Sequence, residues 1–174
     1  MTPRLRKLVL SAHLTFSVGW IGAVVVYLAL GVAAVTSEDL ATVRSAWTAM
    51  ELSGWLVIVP LALASLVTGV VMALGTKWGL FRHYWVLISF VLTIFAVAIL
   101  LLHMPTVTSM AAVAREADVA ELESLGGDLL HPGIGLVVLL AIQVLNLYKP
   151  SGMTRYGWRK QHQAEGRSGA AAGR

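Results

Sequence analysis

The 174-residue chain contains no cysteine. That excludes disulfides, thiolate metal sites, covalently attached c-type haem and cysteine-ligated iron–sulfur clusters. Charge is nearly as scarce. Asp, Glu, Lys and Arg make up 13% of the residues and are missing altogether from Leu8 to Ser37, Leu52 to Thr76, His83 to Ala114 and Leu129 to Tyr148. Absent as well are a nucleotide-binding glycine loop, a nucleophile elbow and a zinc-protease signature.

What fills the chain instead is apolar: 57% of residues are hydrophobic. Each charge-free block approaches or exceeds the ~20 residues a helix needs to cross ~30 Å of hydrocarbon. The blocks are apolar all round, whereas a helix of a soluble protein buries one stripe. These features predict an all-α integral membrane protein with spans at about 8–34, 52–75, 83–104 and 131–148. The last is the shortest and carries Gln143 and Asn146. The first block is too long for the apolar region of a signal peptide, so it is expected to stay in the chain.

Lys and Arg alternate with acids along the connectors. Arg4, Arg6 and Lys7 precede the first span, Lys77 and Arg82 lie between the second and third, and Lys149, Arg155, Arg159 and Lys160 follow the fourth. Acids collect in the other two connectors, as Glu38, Asp39 and Glu51, and as Glu116, Asp118, Glu121, Glu123 and Asp128. By the positive-inside rule both termini are cytoplasmic and the acidic connectors face outward. The net charge of +4 then reflects topology and lipid headgroups rather than nucleic acid.

Local signals complete the plan. Ser37 reads as the cap of a short helix with Leu40, Val43, Trp47 and Met50 on one face. Pro60 should kink the second span, and Pro105 closes the third. A second outer helix is expected over Ala111–Leu125, ending at Gly126-Gly127. Pro132 suits the first turn of the last span. The result is an up-down-up-down four-helix bundle with two short amphipathic outer-face helices. Residues 1–150 form a single transmembrane domain, and 151–174 a basic cytoplasmic tail, partly disordered. Trp55, Trp78 and Trp158 fit an interfacial belt.

Histidine is scarce in membrane spans and marks candidate sites there. His13 and His83 open the first and third spans from the same side, each with an aromatic seven residues on, Trp20 and Phe90. In such a bundle they would face one another across the core as axial ligands of a b-type haem, with Trp20 and Trp85 as flat walls. His103 and His131 form a second pair at the outer side, for a second haem or, with Met104 and Met110, for copper. His83 and His103 lie about 30 Å apart along a helix and cannot share a cofactor. The alternative reading of each histidine is an interfacial anchor.

The run His13-x6-Trp20-x-Gly22 resembles the opening of the CopD copper-resistance family and of HemJ-type protoporphyrinogen oxidases. The resemblance extends weakly into Gly79-Leu80-Phe81-Arg82-His83-Tyr84-Trp85. HemJ-like proteins carry a lysine two residues after that histidine; here the place belongs to Trp85. The resemblance implies a four-helix haem- or metal-associated membrane protein and fixes no reaction. The leading expectation is a b-type haem protein of a bacterial-type cytoplasmic membrane, serving electron transfer or oxidation of a small reductant or porphyrin. Other expectations are a non-catalytic accessory subunit of a larger membrane complex and copper handling at the outer face. Expected partners are the lipid bilayer, a membrane redox partner or a second copy of the chain.

Overall fold

The computed structural model describes residues 1–75, 79–116 and 127–172. Apart from one isolated bridge, regular structure in them is helical: α1 (Pro3–Thr36), α2 (Leu40–Ser53), α3 (Val59–Gly75), α4 (Tyr84–Glu116), α5 (Leu130–Tyr148) and α6 (Arg155–Ala172). A wide π turn, Gly54–Ile58, joins α2 to α3 without a break. Four helical segments are long and apolar enough to cross a membrane: Pro3–Thr36, Leu40–Gly75, Tyr84–Glu116 and Leu130–Tyr148.

The helix ends depart from the sequence reading in instructive ways. Asp39, not Ser37, caps α2. Its carboxylate accepts from the N–H groups of Ala41 and Thr42 and from the Thr42 hydroxyl. The π turn lies just ahead of Pro60, and Val59 N–H donates to Gly54 O across it. A turn widened there gives room to a proline ring that would press on the preceding turn.

Nor does α4 stop at Pro105. It runs on to Glu116, because Met104, Val107 and Ala111, each no more than 1% exposed, bury one continuous face on both sides of the proline. Ala111–Glu116 is therefore the end of α4 rather than the start of a separate helix. The remainder of that expected helix, like Lys77 and Trp78, lies outside the described residues.

Cross-helix contacts tie α1 to α3, α2 to α4 and α4 to α5. His13 of α1 lies against Gly69 of α3, and Gly19 against Leu61. Ser17 and Ser65 join the same pair by a hydroxyl–hydroxyl bond of 2.8 Å. Glu51 of α2 is ion-paired with Arg115 of α4, and Trp55 Nε1 donates to Thr108 Oγ1 at 3.0 Å. Asn146 of α5 donates to Ser89 of α4 at 3.3 Å. The larger buried cluster includes Trp20, Tyr27, Trp47, Met50 and Met104; a smaller one at the opposite end holds Ala73, Leu80, Trp85 and Val86.

The C-terminal segment is fastened to that opposite end. Thr154 N–H donates to Arg82 O at 2.9 Å, and Thr154 Oγ1 donates to Phe81 O and accepts from Gly157 N–H. Thr154 thus caps α6 and ties it to the turn before α4. Arg155–Ala172 is helical.

Asp39 supplies a pH-dependent cap. The hydroxyl of Thr42, with the backbone N–H groups of Ala41 and Thr42, holds its carboxyl below the usual carboxylate range. A depressed carboxyl stabilises the fold above its unfolded-state value, and this contribution fades as pH falls through the folded-state value. Asp39→Ala should therefore lower the thermal unfolding midpoint in detergent at pH 7. The gap from the parent should close in acid; a gap independent of pH would refute the cap.

Candidate metal centre

The site begins with a glycine. Gly31 of α1 faces the segment leading into α5, and a Cβ there would lie 3.0 Å from Asp128 O and 2.9 Å from Leu129 Cδ2. A bare backbone lets that segment sit directly on α1. The Asp128 carboxylate then falls beside Tyr27, one helical turn before Gly31. Tyr27 OH donates to Asp128 Oδ2 at 3.0 Å.

The same oxygen is approached from α4, where His103 Nε2 lies 2.6 Å away. A carboxylate only accepts, so Nε2 carries the hydrogen. His131 follows Asp128 by three residues and shares its side of the chain. Its Nδ1 is 3.7 Å from Oδ1, and its ring stacks on that of His103 at 4.0 Å between centroids and 18° between planes.

Burial grades across the group: the side chains of Asp128 and His103 are 10% and 16% exposed, that of His131 52%. A carboxylate so enclosed needs partners, since an unpaired buried charge is costly. Oδ2 has two. Oδ1 has none within hydrogen-bonding distance among the described residues, His131 at 3.7 Å being too far.

The ligating atoms of His103, Asp128 and His131 all lie within 4.8 Å of one another. Two imidazoles and a carboxylate suit divalent first-row ions, namely zinc, iron(II) or copper(II). The unused lone pairs of Oδ1, turned toward His131, fit a cation. A bis-histidine haem fits less well, because rings stacked face to face leave no gap for a porphyrin plane between them.

Against this group lies a cavity of about 180 Å³. Trp20, Val24 and Tyr27 of α1 line it, with Ile58 of the π turn, Phe95, Ile99, Leu100 and Met104 of α4, and Ile134, Gly135 and Leu139 of α5. Met104, 1% exposed, belongs to the lining with its sulfur against Gly54, while Met110 is 37% exposed.

The two sequence-derived histidine pairs fare differently. His103 and His131 are brought into contact. His13 Nδ1 lies 3.1 Å from Thr68 Oγ1 and 3.2 Å from Ser65 O of α3, which puts its hydrogen on Nδ1. His83 pairs through its backbone with Met153 and sits 6.5 Å from the Trp85 ring. The tryptophans part company too: Trp20 belongs to the main cluster and lines the cavity, while Trp85 lies in the smaller cluster.

Sequence reasoning missed Tyr27 and Asp128 as site residues. Asp128-x-x-His131 was the available signal: an acid three residues ahead of a histidine at the start of an apolar block. Comparisons with family models, curated proteins and solved structures found no match. The resemblance to CopD and HemJ-type proteins therefore rests on the residues quoted for it alone.

His13, on this geometry, is an interhelical tie. Such bonds average about 0.6 kcal/mol and reach about 1.7 in membrane proteins. His13→Ala should lower stability in detergent by about that much and leave any bound metal or chromophore unchanged. Loss of a chromophore from native membranes would instead make His13 a ligand.

Proposed function

We propose that this is a multi-pass membrane protein that binds one divalent first-row transition metal at His103, Asp128 and His131. The observation that carries the proposal is the convergence of two imidazoles on a buried carboxylate, one oxygen of which has no hydrogen-bond partner among the described residues.

The membrane setting is supported by the surface. Leu56, Leu74, Leu102, Val137 and Leu147 are each at least 67% exposed, an apolar exterior suited to lipid and not to water. The four apolar segments would cross as an up-down-up-down bundle. At ~1.5 Å per residue α5 measures about 28 Å, close to the hydrocarbon thickness, while α1 and α4 reach about 50 Å. The ends of α1 and α4 thus project beyond the bilayer. With Lys and Arg inside, both termini are cytoplasmic, and the metal centre, at the start of α5, lies at the outer edge of the hydrocarbon.

Asp128 and the two histidines would hold the ion, and Tyr27 would orient the carboxylate through its hydroxyl. Iron or copper bound there would supply one-electron redox chemistry; zinc would not. Copper bound there would be the outer-face copper expectation at His103 and His131, with Asp128 as a ligand in place of Met110 and of Met104, whose sulfur lies against Gly54.

Elemental analysis tests it. The protein, purified in detergent and stripped with chelator, is reloaded separately with zinc, copper(II) and anaerobic iron(II). One ion per chain is expected for at least one metal, lost in Asp128→Asn and in His131→Ala. Absence of stoichiometric metal, or binding untouched by both substitutions, would overturn the proposal.

A further inference from the structure

The geometry points to a second ligand in the cavity beside Asp128: the one-ring headgroup of a lipid-soluble phenol or quinol. Size comes first. At about 180 Å³ the space is slightly larger than a cavity of roughly 150 Å³ that accepts benzene. One substituted ring fits and three fused rings do not. Trp20, Phe95, Ile99 and Leu139 give the cavity apolar walls, and its polar groups are gathered at the end formed by Tyr27, His103 and Asp128.

That end asks for a donor. The Tyr27 hydroxyl is already given to Asp128 Oδ2, and His103 Nε2 bonds the same oxygen. Among the described residues Oδ1 remains as an open acceptor, on a side chain 90% buried. A ring hydroxyl satisfies it; a ring ketone or ether does not. The cavity should therefore prefer the reduced, hydroxylated ring.

Access comes from the side. Phe95 and Ile134 line the cavity yet are 58% and 57% exposed, so its wall between α4 and α5 is also the molecule's apolar surface. In a bilayer a ligand would enter there from the lipid, ring first, with any alkyl tail left among the acyl chains. The inference shares Asp128 with the metal reading but does not require the ion, so its test uses the chelator-treated full-length protein.

Calorimetric titration in detergent, without oxygen, with tetramethyl-1,4-benzoquinol should give saturable binding of one molecule per chain. Its dimethyl ether and the three-ring 9,10-dihydroxyanthracene should bind about tenfold more weakly or worse, the ether for want of a hydrogen bond to a charged acceptor. Gly135→Leu supplies the decisive variant. Gly135 lines the cavity and a Cβ there meets nothing within 4 Å, so a leucine is directed into space that the ring would occupy. It should abolish quinol binding while leaving the thermal midpoint and metal stoichiometry near those of the parent. No saturable binding, equal binding of the dimethyl ether, or binding undiminished in Gly135→Leu would overturn the inference. Metal uptake and quinol binding are read separately, so either can fail alone.

Discussion

The enclosed carboxylate of Asp128 is the constraint around which this end of the molecule is arranged. It lies among apolar helices with one-tenth of its side chain exposed, and a charge in that setting persists only if it is paired and hydrogen-bonded. The partners come from different parts of the chain. Tyr27 is on α1 and His103 on α4, and Asp128 itself leads directly into α5. Satisfying one side chain therefore fixes the relative positions of three helices. Gly31 makes this possible by admitting the backbone of Asp128 onto α1.

Away from that point the helices are held by small, dispersed contacts. Ser17–Ser65 and His13–Thr68 join α1 to α3, Asn146–Ser89 joins α5 to α4, and Thr154 fastens α6 to the turn before α4. Were these helices set in lipid, association would bring little hydrophobic gain, and packing with such polar ties would carry the structure. The buried cluster of Trp20, Trp47, Met50 and Met104 supplies the packing. Glu51 with Arg115 adds a link between α2 and the end of α4, both continuations of the long apolar segments.

The four long helices were legible because absence of charge over twenty or more residues is a local and strong signal. Their ends were harder to place. Pro105 read as a terminus, since the residue lacks an N–H, but burial of Met104 and Val107 on either side outweighs that loss. Asp39 and not Ser37 caps α2 because its carboxylate reaches two backbone N–H groups. The pairing of His103 with His131 followed from their positions at adjoining span ends. Tyr27 could not be read at all: it is 101 residues from Asp128 in sequence, and nothing in a tyrosine within an apolar block announces its partner. His13 shows the converse. Its place in a span singled it out, but the structure gives it hydrogen-bond partners on a neighbouring helix.

Whether Asp128 couples α1 to α4 is open to direct measurement. Unfolding free energies in detergent of the parent, Tyr27→Phe, His103→Ala and the double variant form a cycle that isolates the interaction between two side chains sharing one carboxylate oxygen. A coupling of about 0.5–3 kcal/mol, as found for groups in one hydrogen-bond network, is the expected result. Additivity to within about 0.3–0.5 kcal/mol would mean that the two side chains act independently and that Asp128 is not the junction.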